Sequence, residues 1–550
     1  MIPWDIYFRI DPLSLFIGAF VLLFFILTVV YSEGYRHEKK HDGRYYVYVI
    51  LTFLASWGAV FANHLILFLV FWGFLGLMLY LLIGFGEKPN TPATAKKALI
   101  IVGGADALMI LGVALMRNLA PSLRMDETHL TLTSRSAVLA FLCLASGAFA
   151  KAGAMPFHSW IPDTAEDAPA SVAAYLPAAL DKLLGIYFLV RISLDLFQMT
   201  PAMNTFLLAI GSFTIVAAVM MALVQHDLKR LLGYHAVSQV GYMVLGIGTG
   251  NPVGIAGGLF HMLNNTIYKT CLFQGAGAVE EAAGTTDLDR LGGLGRSMPA
   301  TFASVLIASL AISGVPPLNG FASKWMIYQG VIELGRTGSR LWPVWLVAAM
   351  FGSALTLASF MKVIHAVFLG QPSRDREGKT VKEVGSAMWV PMVFLAALCI
   401  LFGVLAVRLP LTLFVFPSLP FSVPFAGVWS PGLAAALLAT ALGVGFVIFW
   451  LGRSAKVRET ESFVGGETVS ENPDMRVSGT EFYLTIQELG RLKGIYNLAL
   501  QKRFDPYDIS RRCTSRVTVA LQELHHGVLL TYLAWCLLGA CVLFYVLLLR

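Results

Sequence analysis

Apolar runs of about 20 residues recur along this 550-residue chain, and short charged loops separate them. A helix needs about 20 apolar residues to cross a bilayer, where only helices and closed barrels satisfy every backbone group. By that measure the chain contains about fourteen helices. They fall near 12–32, 45–62, 64–86, 95–117, 136–155, 170–194, 203–224, 230–249, 253–279, 299–332, 342–369, 387–408, 430–451 and 525–549. Only 13% of the residues are charged, whereas a soluble domain carries about 25%. The fold expected is an all-α polytopic membrane bundle. Met1 to Asp11 already include Asp5, Arg9 and Asp11, which is not a secretory signal. The net charge of +7 sits mostly in loops without a basic, aromatic-interleaved patch, so no nucleic-acid partner is expected. The cysteines at 143, 271, 399, 513, 536 and 541 fit no disulfide, iron–sulfur or metal spacing. With no nucleotide or haem motif either, no cofactor, metal or catalytic redox centre is expected.

Within this apolar background, KAGAMPFHSWIPDTAEDAPASVAAYLPAALDKLLGIYFLVR (Lys151 to Arg191) stands out. It places Lys151 and Lys182 on segments apolar enough to be buried, and prolines at 156, 162, 169 and 177 bend or break the helices around them. A second break falls at SGVPPLNGFASK, just before Lys324. A charged side chain at membrane depth costs at least about 2.5 kcal/mol, and broken helices persist there only where protein or a wet cavity surrounds them. Buried lysines beside broken helices point to a route for protons or small cations. The competing reading of each lysine is a snorkelling side chain.

Basic residues collect on alternate loops. One side carries Lys88, Lys96, Lys97, Lys229, Arg230, Arg290, Arg296, Arg374, Arg376, Lys379 and Lys382; the other carries Arg124, Arg135, Arg336, Arg340 and Arg408. The loop EGYRHEKKHDGR is strongly basic, and the bias predicts a multi-pass protein of the inner (plasma) membrane with both termini outside. Residues 1–452 read as the transmembrane bundle and 453–524 as a polar cytoplasmic-side segment; 525–550 read as a final transmembrane helix. Within 479–504, Phe482, Ile486, Leu489, Leu492, Ile495, Tyr496 and Leu500 recur at three- and four-residue spacing, which predicts an amphipathic helix.

ALVQHDLKRLLGYHAVSQVGYMVLG, HMLNNTIYKTCLF, SGVPPLNGFASKWMIYQG and KAGAMPFHSWIPDTAEDAP, together with Phe71-Trp72 and YLLIGF, resemble the antiporter-like family. That family comprises the large ion-translocating membrane subunits of respiratory complex I, their counterparts in membrane-bound hydrogenases, and Mrp-type cation/proton antiporters. The resemblance covers roughly Asp11 to Gln371, and DKLLGIY with SKWMIYQG leans towards the hydrogenase and Mrp relatives. It implies an inverted-repeat bundle with two broken-helix regions, from which about two N-terminal helices of longer relatives are missing. It also implies protons or sodium ions as cargo, with other membrane subunits and an iron–sulfur or hydrogenase-like redox module as partners. This chain would couple to that module's turnover without bond chemistry of its own.

The same resemblance assigns residues. Lys151 matches the lysine of the first broken helix, Lys182 the central lysine, and Lys324 the exit-side titrating residue. Asp181 beside Lys182 is either a gating group or a local ion-pair partner. Burial disfavours a lysine's charge and a nearby carboxylate favours it, so a lysine between these influences can take and release a proton. His261, Asn265 and Lys269 fall four residues apart and share a helical face. The family often has histidine at the second of these positions; Asn265 cannot carry a proton. The family glutamate that pairs with the lysine at the Lys151 position is replaced by Gly73, and Asp106 is the expected substitute, facing Lys151. A protonated aspartate bonded to a neighbouring helix is the alternative. Lys362 is a minor candidate and His365 reads as structural. Asp227, Lys229 and Arg230 read as capping and orientation, and Asp163, Glu166 and Asp167 as a solvated acidic loop. Two further functions stay open: a subunit of a Mrp-type antiporter without a redox partner, and a degenerate scaffold that conducts nothing. Driving the uptake of another solute, as some relatives couple to inorganic carbon accumulation, stays open as well.

Overall fold

In the computed structural model, residues 7–35, 43–371, 381–424, 430–452, 480, 483–525 and 527–548 are described. Arg374, Arg376, Lys379, Phe482 and most of the EGYRHEKKHDGR loop lie outside them. The chain packs as two units, Met1–Leu489 and Gly490–Arg550.

The first unit runs through α1 (Pro12–Tyr35), α2 (Gly43–Phe61), α3 (Leu65–Ile83), α4 (Thr91–Leu119), α5 (Arg135–Ala152), α6 (Trp160–Asp167) and α7 (Ala170–Leu196). It continues with α8 (Pro201–Leu223), α9 (Leu228–Gly248), α10 (Pro252–Ala283), α11 (Pro299–Ser313), α12 (Asn319–Arg336) and α13 (Trp342–Leu369). It ends with α14 (Ser386–Val404), α15 (Val407–Ser418), α16 (Pro431–Leu451) and the short α17 (Leu484–Glu488). The second unit contains α18 (Gly490–Leu500), α19 (Pro506–Leu524) and α20 (Leu529–Leu548).

Helix starts follow capping chemistry. Thr200, Asn251, Ser430 and Asp505 each accept a backbone N–H from the first turn, and a proline follows each at the first helical position. Asp227 caps α9 through the Arg230 N–H at 2.8 Å, as its position before the helix predicts. Among the described helices, eleven are long and apolar enough to cross a membrane. The expected fourteen included α9 and α10, whose polar residues keep them out of that set. The 299–332 run, expected as one helix, is two: Gly314, at φ +83°, terminates α11, and α12 begins only at Asn319. The amphipathic helix expected over 479–504 is also interrupted, because Leu489 is extended and Gly490 takes φ +31°. Two short strands, Leu130–Thr131 and Phe197–Gln198, pair in parallel at one end of the bundle, a feature the apolar pattern did not signal.

Two helices are enclosed on all sides. In α7 every residue from Ala170 to Ser193 is buried, and in α10 every residue from Val253 to Val279. A helix apolar all round belongs in a core, so its few polar residues have no route to the surface. α7 packs on α5 and α10, and α10 packs on α9, α11, α12 and α14. The close α5–α7 contact depends on Gly185, where a Cβ would lie 2.6 Å from the Ala152 nitrogen.

Charged groups pin both ends of the bundle. At one end, Arg191 of α7 donates to both Asp11 oxygens at 2.7 and 2.8 Å and to Asp195 at 2.8 Å, and Arg9 bridges the two aspartates. At the other, Lys97 pairs with Asp163 at 2.9 Å, Arg230 with Asp163 and Glu166, and Lys229 with Glu280, while Thr94 donates to Asp167. The acidic stretch expected as a solvated loop is therefore helix α6, with Asp163 and Asp167 buried. Neighbouring cations and the Thr94 hydroxyl make that burial affordable.

Burial alone would raise the Asp11 carboxyl, but the Arg191 hydrogen bonds and charge, with Arg9, hold it below its ordinary value of 3.8. Its contribution to stability is therefore present above about pH 4 and is lost as pH falls through the depressed folded value. Asp11→Asn should melt at a lower temperature than wild type at pH 7 in detergent. That gap should narrow below pH 4; a gap independent of pH would show that the pair does not act through its charge.

Candidate functional site

The residues singled out by the sequence meet along a buried polar line through the bundle. Lys151 is the penultimate residue of α5, two before Gly153, whose φ of +86° turns the chain out of the helix. Trp160 folds back and donates its indole N–H to the Ala150 carbonyl at 3.0 Å, satisfying part of the broken end. The Lys151 ammonium lies 5.2 Å from the Trp72 ring centre, is fully buried and makes no hydrogen bond within the protein.

Asp106 on α4 is within electrostatic range of Lys151 without touching it. One oxygen lies against Gly76, 3.4 Å from where a Cβ would stand, and Oδ1 has no partner. Gly73 has open space where a Cβ would point, on the exposed face of α3 that also presents Ile66, Val70, Leu77 and Tyr80. The carboxylate present near Lys151 is therefore on α4, and position 73 on α3 faces away from the enclosed side of its helix.

Lys182 projects from α7 to the end of α5, where a Cβ on Gly153 would stand 3.4 Å from its Nζ. The carbonyl end of a helix favours a cation. A wide, π-type turn at Leu176–Leu180 immediately precedes Asp181 and Lys182, a distortion common at functional sites. Asp181 interacts electrostatically with both Lys151 and Lys182, but its Oδ2 and the Lys182 Nζ have no hydrogen-bond partner.

On α10, Lys269 faces Lys182 electrostatically, donates to the Leu232 carbonyl at 2.9 Å, and lies over the Phe273 and Phe360 rings. Asn265, one turn away, is buried with neither amide atom bonded within the protein. A further turn along, His261 Nδ1 meets Ser323 at 2.9 Å and Nε2 meets Gln239 at 3.0 Å. Lys324 on α12 donates to the Ile312 carbonyl at 2.8 Å, at the broken end of α11, and lies 4.8 Å from the Tyr242 ring centre. Lys362 on α13 lies at the edge of this line. Its ammonium donates to the Leu223 and Gln225 carbonyls at 2.8 Å each, closing the end of α8. A capping role fully explains that contact.

The sequence reading missed His235, Gln239, Tyr242 and Ser323. Their signal was present: on α9, positions 235, 239 and 242 recur at four- and three-residue spacing as polar groups in an apolar helix. Among the described residues, no group of three His, Cys, Asp or Glu could hold a metal ion. Carboxylates, amines and imidazole can each exchange a proton, and the carbonyls at the broken helix ends can hold a small cation.

Proteins of known role carry similar sequences. "F(420)H(2) dehydrogenase subunit L" of Methanosarcina mazei is 32% identical over 72% of this chain and 63% of its own length. "Hydrogenase-4 component B" of Escherichia coli is 30% identical over 73% and 63%. "Na(+)/H(+) antiporter subunit A1" of Staphylococcus haemolyticus is 31% identical over 73% and 52%. The chain thus spans less than two thirds of the length of these relatives. The fold matches one chain of the membrane-bound sulfane sulfur reductase, an archaeal respiratory membrane complex. That match has a TM-score of 0.81 and 22% identity, covering 99% of this chain and 89% of that one. It also matches a chain of the Mrp complex from Dietzia sp., with a TM-score of 0.68 and 21% identity over 75% and 84%. The profile of the family described as NADH:quinone oxidoreductase/Mrp antiporter, TM, covers residues 62–356, more than half of the sequence, and the chain belongs to that family.

Proposed function

We propose that this chain is a proton- or sodium-translocating membrane subunit of a multi-subunit respiratory or hydrogenase-type oxidoreductase. Redox turnover in partner subunits, carried by an iron–sulfur or hydrogenase-like module, would drive ions along Asp106, Lys151, Asp181, Lys182, Lys269, Asn265, His261 and Lys324, with Lys362 at the side. The observation that carries this reading is the run of buried lysines with a carboxylate near one end. Lys151 and Lys182 have no hydrogen-bond partner in the protein, and Lys269 and Lys324 hold only a carbonyl. Buried polar groups are almost always satisfied, so a line of under-satisfied ones suits a path wetted by water. A charge arriving at one lysine shifts the proton balance at the next, which couples the sites without a moving carrier. Asn265 is bridged in this reading by water. The family membership and the relatives named as a dehydrogenase subunit and a hydrogenase component support the assignment, and the bias of basic residues between loops supports both termini lying outside the inner membrane.

A second reading, a subunit of a cation/proton antiporter with no redox partner, draws on the Staphylococcus relative. A third, a non-conducting scaffold, draws on Gly73 and Asn265.

Purified complex in sealed vesicles separates them. With the redox substrate present, Lys182→Ala should cut ion flux about a hundredfold, within the range a positioned acid–base group supplies, while assembly is kept. Flux without any redox substrate would favour the antiporter. Equal flux in wild type and variant would leave only the scaffold. Asp106→Asn should also slow flux with assembly intact; a wild-type rate would remove Asp106 from the path.

A further inference from the structure

Beside the line described above, polar groups also lie near the surface at the α8–α9 loop. A cavity of about 310 Å³ opens there, walled by Val224, His226, Asp289, Tyr483 and Gln487. It has room for several waters at about 30 Å³ each. At its rim His226 Nδ1 lies 2.8 Å from Asp289 Oδ2, and both side chains are more than a third exposed. Thr480 donates to the same aspartate, and Tyr483 is anchored to the Ala358 carbonyl at 2.7 Å. Lys362 donates to the carbonyls of Leu223, which lines this cavity, and of Gln225, and lies within electrostatic range of Asp289.

One turn along α13 from Lys362, the Ser359 hydroxyl lies 2.7 Å from His235 Nε2. Phe360 packs against the His235 ring at 4.8 Å and lies 5.7 Å from the Lys269 ammonium, so imidazole and amine flank one aromatic ring. Lys269 is held by the Leu232 carbonyl, three residues before His235 on α9. The charged neighbours of His235 are Lys269 on α10, Lys324 on α12 and Lys362 on α13. The ring is fully buried, yet its Nδ1 has no partner. A histidine kept only for packing would be fully satisfied or replaced by an apolar ring, because an unpaired buried polar atom costs free energy.

We infer that His235 carries protons on a side branch that joins the His226–Asp289 cavity to Lys269, past Lys362 and Ser359. The inference rests on the proton-translocating reading above. In each passage the neutral ring accepts a proton at one nitrogen and releases one from the other, so its net charge is restored. The Ser359 hydroxyl both donates and accepts, and so passes the proton on without holding charge. The branch meets the central line at its middle, which lets the Lys269 site exchange protons without passing Lys151 or Lys324.

The test uses the intact complex in sealed vesicles, with proton flux followed by a pH-sensitive dye. His235→Gln keeps a hydrogen bond to Ser359 but cannot carry a proton, and should slow flux at least about tenfold. His235→Gly should be slow and should regain flux when imidazole is added. Ser359→Ala should slow flux with assembly intact, and it decides the matter if the His235 variants do not assemble. Wild-type flux in His235→Gln or Ser359→Ala, beside a dead Lys182→Ala, would overturn the branch and leave the translocation reading standing. Slow flux in the His235 variants with no response to imidazole would make His235 a structural residue and overturn the branch as well. If Lys182→Ala pumps like wild type, the translocation reading fails and the branch fails with it.

Discussion

An ammonium group inside a low-dielectric bundle loses its water, and the protein must return something polar in exchange. Here the exchange is made largely with helix ends. Lys324 takes the Ile312 carbonyl at the broken end of α11 and Lys362 the carbonyls closing α8, while Lys182 lies beside the end of α5 without a hydrogen bond. A helix C-terminus offers unbonded carbonyls and a partial negative charge, and lysine is a compact charge with rotatable donors that suits them. The rest of the architecture serves that arrangement. Gly153 and Gly314, at φ +86° and +83°, end the two broken helices inside the bundle, and Gly185 lets α7 close onto the first of them.

The distribution of polar satisfaction divides the bundle into parts. Both ends are tied by ion pairs, Arg191 with Asp11 and Asp195 at one and Lys97, Arg230 and Lys229 with their acids at the other. In the middle, Lys151, Lys182, Asp181 and Asn265 keep polar atoms without protein partners. Satisfied networks rigidify, whereas groups with open hydrogen-bonding capacity can exchange partners as charge moves. Tied ends around an under-satisfied middle agree with the proposed conducting path.

The two departures from the family pattern differ in their consequences. At Gly73 the lost carboxylate leaves open space on an exposed face, while Asp106 brings a carboxylate near Lys151 from the adjacent helix. At Asn265 the lost imidazole leaves an amide within the enclosed helix, one turn from Lys269 and one from His261. The first changes the helix from which a carboxylate acts on Lys151; the second leaves an amide, which cannot carry a proton, between Lys269 and His261.

The sequence alone determined the class of fold, because runs of about 20 apolar residues permit little besides membrane helices. It also determined which lysines were unusual, since charge in such runs is costly wherever the helices pack. The breaks near Lys151 and Lys324 were legible for the same reason, from proline and glycine chemistry that acts locally. Tertiary structure alone decided what those residues face. That Asp106 and Trp72 lie near Lys151, that α6 is a pinned helix, and that His235 bonds Ser359 and senses the Lys269 charge follow from packing between helices far apart in the chain. Periodicity specifies which face of a helix is polar, but the partner of that face depends on how all the helices close around α7 and α10.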